Sequence, residues 1–410
     1  MTPSQQEPED SESTLSRASR RRVLGGAAAG GMAGLLATSI FQRAAAQDAP
    51  GWETASHTLP PFSYNLEASE PQSFTGGTLR TATSTNIPAL EGFSIFSESI
   101  DPGALRELHW HSNCHELSYC LSGEGTIGIH SPKGDSATFS INNGSVSFVP
   151  LGYAHYIQNS GSEPLRMIIA FTNEQPQKFD LSMALPWVPG ELIAQTLSVP
   201  PGTIPMLPQQ GDLTIVPAEQ PADLEPTKAN PYSTPISQVP LQEYAGGTAS
   251  PVSTAQISAL EEVTLFGLNF DHGGLREPHW HTNASEFDYV LSGTAQFTLV
   301  APDGSATSFA VGPGEVAYMP KNWFHYIADI GKEEEPLKML IFFGNVQPDH
   351  VDLSQMTGFF PPEVLAASFG FDPAVFADLP EVGDVFMAGE SIPPPRPIPP
   401  PPPPRGVTGR

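Results

Sequence analysis

The sequence predicts an all-β protein made of two similar domains in tandem, each a jelly-roll barrel with a short helical appendage. Three observations carry this. The first is a duplication: His109, His111, Glu116 and His155 recur as His279, His281, Glu286 and His325, each 170 residues further on. The second is a series of short strand-like segments broken by turns. Gly123–Ile129 precedes Pro132-Lys133-Gly134, and Pro302-Asp303-Gly304 marks the same turn in the second copy. The third is composition: charged residues make up 15% of the chain, against roughly 25% in an average domain, while 37 glycines and 45 prolines punctuate it.

Taken in order, residues 1–18 are polar and too poor in apolar residues to form a core. Ser19-Arg20-Arg21-Arg22-Val23-Leu24 then opens an apolar, Gly/Ala-rich stretch to Phe41, and Ala44-Ala45-Ala46 offers a small-residue cleavage site. Residues 1–46 are therefore read as a signal peptide of twin-arginine type. The mature protein is expected to be exported, periplasmic or extracellular, with no stable membrane insertion after cleavage. The first domain is assigned to 47–200 and the second to 231–385. Pro61-Phe62-Ser63 answers Pro231-Tyr232-Ser233, and Gly76-Gly77-Thr78 answers Gly246-Gly247-Thr248. After His155 the offset grows to 172, so that Asp180-Leu181-Ser182 answers Asp352-Leu353-Ser354. Each repeat ends in a helical stretch, Glu191–Thr196 and Glu363–Ser368, with proline near its start. Residues 201–230, rich in Pro, Gln and Ala, read as a linker packed on the surface. Residues 386–410 read as a proline-rich tail, extended as polyproline II from Pro393 to Arg405.

Charge narrows the partners. The chain has 18 basic and 44 acidic residues; removing 1–46, with five arginines and four acids, leaves 13 − 40 = −27. Such a surface repels nucleic acid and anionic lipid. A small anionic substrate would need a locally positive site. Cys114 and Cys120 are too few for a disulfide framework, and Ala284 and Val290 replace them in the second copy. They read as small apolar fillers, with a local disulfide as the alternative in an exported protein.

The duplicated set has the chemistry of a metal site. Side chains alternate on a strand, so His109 and His111 point one way and Trp110 the other; His279, Trp280 and His281 repeat this. Glu116 begins the next strand after the turn at Ser112–His115, and His155 comes from a later one. Three neutral imidazoles and one carboxylate leave two open positions on a six-coordinate ion. That suits Mn or Fe better than a structural zinc, with two ions per chain and another divalent metal as the alternative. Leu117, Tyr119, Phe287 and Tyr289 should face away from the metals. Packing of the two domains on each other, or a homo-oligomer, would cover these apolar faces.

The spacing of glycines around the ligands resembles the two cupin motifs, in both copies. The first copy reads Gly103-x5-His109-x-His111-x4-Glu116-x6-Gly123, then Gly144-x5-Pro150-x-Gly152-x2-His155-x3-Asn159. The second copy departs from the pattern only at Asn322 and Asp329. From about Pro61 to Phe369 the chain resembles the bicupin oxalate decarboxylases, through Arg106-Glu107-Leu108-His109-Trp110-His111, its counterpart Arg276–His281, and Tyr153-Ala154-His155-Tyr156-Ile157. The resemblance implies two manganese-binding jelly-roll cupins in an oligomer. It also implies oxalate as substrate, dioxygen as co-reactant, and cleavage to formate and carbon dioxide. Arg106 and Arg276 stand where that family orients oxalate, and an arginine fork suits a carboxylate. A salt bridge to Glu107, Glu277 or another interior carboxylate is the structural alternative. The family's glutamate-bearing lid string is missing, and the only carboxylate on the corresponding segment is Glu174. It is the candidate proton donor, because decarboxylation ends with a proton delivered to carbon. A second-domain glutamate of the family falls on Ile341.

Other readings stand beside this one. One is an oxalate oxidase or another metal-dependent cupin dioxygenase, the latter with a larger apolar pocket drawn from Leu105, Leu108, Phe148 and Phe270. The other is a non-catalytic cupin that binds or senses a metal or small ligand.

Overall fold

The computed structural model describes residues 61–134, 136–205, 213–219, 230–377, 379 and 385–388. The expected signal segment and the proline run from Pro393 lie outside these residues. Four antiparallel sheets carry the fold, two to each repeat. They face one another as jelly rolls rather than closing into continuous barrels. In the first repeat, a six-stranded sheet places Ala104–His111 between Lys178–Asp180 and Ala154–Asn159. The facing seven-stranded sheet places Glu116–Ser122 between Ser145–Val149 and Leu165–Phe171, with Ser94–Ile100 beyond. The second repeat matches, with Leu275–Trp280, Phe324–Asp329, Glu286–Ser292, Lys338–Phe343 and Thr264–Phe270 in the same places. Helices Gly190–Thr196 and Pro362–Phe369 fall within a residue of expectation.

The repeats exchange their first strands. Ser63–Asn65 pairs with Glu315–Met319 of the second jelly roll, and Ser233–Pro235 pairs with Ser145–Val149 of the first. One apolar cluster joins them, containing Leu117, Tyr119 and Phe148 from the first and Phe287, Tyr289 and Tyr318 from the second. The outer faces are thus covered inside the chain. A separate cluster, with Ile127, Phe139, Ile157 and Met167, fills the first jelly roll.

Two boundaries move. Ile215–Pro217, expected in a surface linker, is a strand on Ala104–His111, and Ile215 is fully buried. Phe386–Met387, expected at the start of the tail, pairs with Leu275–Trp280 in the same way. Both segments dock through backbone groups, as in Glu107 N–H to the Thr214 carbonyl and Glu277 N–H to the Val385 carbonyl, and each buries one apolar side chain, Ile215 or Phe386; two or three residues are too few to show a strand pattern in the sequence. The motif departures are accommodated. Asn322 takes the left-handed turn (φ 66°) that Gly152 takes (φ 78°) in the first copy. Asn159 donates to the Ile100 and Glu163 carbonyls, whereas Asp329 accepts from the Gly273 and Gly331 amides. Cys114 and Cys120 are buried and free, so the local disulfide is not formed.

Candidate metal centres

The eight residues come together as two clusters of four, each with its ligand-type atoms within 4.8 Å of one another. All eight are buried. The strands position them: His109 pairs with His155, and His279 with His325, across adjacent strands. Glu116 and Glu286 project from the facing sheet.

Hydrogen bonds fix the imidazoles in the ligand tautomer. Nδ1 of His109, His111 and His155 faces the carbonyls of Glu107, Gln177 and Tyr153 at 2.7, 3.1 and 3.0 Å. Nδ1 of His279, His281 and His325 faces those of Glu277, Asp349 and Trp323 at 2.7, 2.9 and 2.8 Å. A carbonyl only accepts, so Nδ1 must carry the proton and Nε2 presents a bare lone pair inward. His279 and His281 then oppose two lone pairs at 3.1 Å, a repulsive arrangement without a cation between them. Oε2 of Glu116 is 3.1 Å from His111 Nε2 and 3.2 Å from His155 Nε2. Glu286 repeats this at 2.9 and 3.3 Å. Burial, then the neighbouring arginine, hold His109 and His279 well below the usual imidazole range and therefore neutral. The carboxylates of Glu116 and Glu286 face the same bare nitrogens, so they too need a cation between the ligands to be held there. The donor set fits a divalent ion in each centre.

Arg106 and Arg276 reach these interiors through a bulge. Strict alternation would send Arg106 to the opposite face from His109, three residues on. The register shifts between them: His109 pairs with His155 and Arg106 with Ile157, three residues against two. The shift recurs between Arg276 and His279 and re-aims the arginine inward. Each arginine is anchored by an aspartate: Arg106 Nη1 to Asp180 at 3.0 Å and Arg276 Nη1 to Asp352 at 2.8 Å. Nη1 also donates to the carbonyls of Thr214 and Val385. Among the described residues, Nε and Nη2 of Arg106 make no further hydrogen bond, so part of the fork stays available. Lys178 pairs with the other oxygen of Asp180, and His350 with that of Asp352. Glu107 and Glu277 instead bind Ser182 and Ser354. The aspartates were legible only as the duplicated Asp-Leu-Ser string, without a role.

Glu174 lies outside both clusters; its carboxylate accepts from the Gly92 amide at 2.9 Å. Two buried acids escaped the sequence reading because neither is duplicated. Glu98 sits in the first jelly roll, where the second has Leu268. Asp288 sits in the second, where the first has Ser118. Asp288 stands opposite Ile341 in the register, so this centre has an acid one strand away from the expected place. Burial, then Glu286, push its carboxyl up. Of the residues considered for a larger apolar pocket, Leu108 is 37% exposed, and Phe148 and Phe270 belong to the cluster shared by the two repeats.

Comparison with known proteins agrees with this geometry. The cupin family model matches residues 64–203 and 237–375. The oxalate decarboxylase of Bacillus subtilis is 29% identical over 303 residues, covering 71% of this chain and 77% of that one. An oxalate decarboxylase of Arthroderma benhamiae is 21% identical over 343 residues, covering 76% and 80%. A solved structure of the Bacillus subtilis enzyme, from work on its Mn(II) centres, superposes with a TM-score of 0.73 at 25% identity, covering 82% of this chain and 91% of that one.

Proposed function

The chain belongs to the cupin family, and we propose that it is a manganese-dependent bicupin that cleaves oxalate to formate and carbon dioxide. The observation that carries this is the pairing, in each jelly roll, of a buried His3Glu cluster with an inward-turned arginine. A dicarboxylate needs a positive partner at each end, and the strongly negative chain provides few elsewhere. Bound Mn(II), with dioxygen as co-reactant, supplies the Lewis-acidic and one-electron chemistry. His109, His111, Glu116 and His155 hold one ion, and His279, His281, Glu286 and His325 the other. Arg106 and Arg276 orient the free carboxylate, and Asp180 and Asp352 fix the arginines. The buried walls exclude water from the reacting carbons.

Two further parts of the proposal concern the whole protein. Residues 1–46 direct export by the twin-arginine route. The mature protein is a homo-oligomer: Trp187 and Phe359, 172 residues apart and at matching places in the two repeats, are 77% and 81% exposed. The test of the function is metal dependence. Protein stripped by a chelator should lose oxalate turnover and regain it with Mn(II). Turnover that is indifferent to the chelator, once metal analysis shows the ions gone, would refute it.

A further inference from the structure

Glu98 lies on Ser94–Ile100, and the strand register fixes where it points. Phe171 pairs with Ser94 on one side and Glu116 on the other, Ile169 with Phe96 and Ser118, and Met167 with Glu98 and Cys120. Directly paired residues share a face and alternate residues keep it. Glu98 therefore points into the same interior as the ligand Glu116. It is 4% exposed, and its Oε1 has no hydrogen-bond partner. A buried carboxyl oxygen without a partner is costly unless it has a task or a bound ligand to meet. Its lateral neighbours, Leu79 and Met167, are uncharged. The charged groups that act on it are Arg106, Glu116, Lys178 and Asp180, two of each sign. Burial is the largest influence and raises its pKa to about 7, so the acid form is well populated near neutrality.

We propose that Glu98 is the catalytic acid of the first centre, the donor of the proton that converts the retained carbon of oxalate into formate. This rests on the oxalate reading above. In the overall change the C–C bond breaks, one carboxylate departs as carbon dioxide, and the bonding pair stays on the other carbon. That carbon forms its C–H bond with the proton of Glu98, which is left as carboxylate and regains a proton from water. No net oxidation occurs. Glu174, the only carboxylate on the lid segment, is tied to Gly92 instead. The second centre has Leu268 at the matching position, so the assignment belongs to the first.

The test uses the mature, manganese-loaded protein and three variants: Glu98→Gln, Glu98→Leu and Glu174→Gln. Leucine is the residue that the second repeat carries at this position, so the fold tolerates it there. Glu98→Gln and Glu98→Leu should keep two metal ions per chain and lower the first centre's formate production by about 100-fold, with its oxalate diverted toward carbon dioxide and peroxide. Independently of turnover, a protonated-carboxyl infrared band that grows as pH falls through about 7 should be present in the wild type and absent from Glu98→Gln, with the band of Asp288 remaining in both. Wild-type formate yield in Glu98→Gln, or an unchanged band, overturns the assignment alone. Formate lost in Glu174→Gln but kept in both Glu98 variants moves the proton to the lid and also overturns it. A wild type that leaves oxalate intact refutes the oxalate reading and this inference together.

Discussion

At the residue scale, the arginine fork and its aspartate make separable predictions. Arg106→Lys keeps the charge but not the planar fork. It should lower kcat/KM for oxalate by about 100-fold, with metal content unchanged by elemental analysis. Asp180→Asn leaves Arg106 and Lys178 without their shared carboxylate. It should cost roughly 3 kcal/mol, read from denaturant midpoints. Glu98 adds a pH dependence. Its folded-state pKa, about 7, lies above the 4.5 of an ordinary glutamate, so the native state holds this proton more tightly than the unfolded chain does. Its contribution is fully favourable below 4.5 and is lost as pH rises through about 7. Glu98→Gln should therefore become progressively more stable relative to wild type across that window, as pH-dependent unfolding would show. The eight ligands were legible because metal chemistry tolerates few residue types and the duplication printed them twice. Glu98 was not, because a single glutamate among alternating residues looks the same whether it faces solvent or metal. Only the register through Phe171, Ile169 and Met167 separates the two.

At the element scale, the fold gains its precision from features that leave little trace in residue type. The bulge that turns Arg106 inward is an extra backbone residue between it and His109, invisible to alternation rules. The strands Ile215–Pro217 and Phe386–Met387 attach beside the two arginines by backbone pairing, and each is preceded by the residue whose carbonyl binds an arginine. Gly246 is where this docking is tightest: a Cβ there would sit 2.1 Å from the Met387 carbonyl oxygen. Gly246→Ala should displace Phe386–Met387 at a cost of about 1–3 kcal/mol. Faster amide exchange at Glu277, whose N–H bonds the Val385 carbonyl, would report it. Protection equal to wild type would show that the strand stays docked despite the added methyl group. The helices at the ends of the repeats, by contrast, were legible from proline placement, since proline is tolerated only in a first helical turn.

At the scale of the whole molecule, the two jelly rolls share strands and one apolar cluster, so neither repeat is complete alone. The metal sites nevertheless remain local, each built from residues of one repeat. His109→Ala with His111→Ala should halve the metal content, leaving the second centre loaded. The two-domain plan was readable from the duplication, but the exchange of first strands was not: Pro61-Phe62-Ser63 and Pro231-Tyr232-Ser233 are alike, and likeness does not say which sheet each joins. Carbon-13-labelled oxalate given to the manganese-loaded protein shows whether this paired architecture cleaves oxalate without net oxidation. Labelled formate and carbon dioxide should appear in equal amounts, and both should be abolished when the His109 and His111 substitutions are combined with His279→Ala and His281→Ala. Labelled oxalate left unconsumed by protein carrying its full complement of manganese would contradict the oxalate reading.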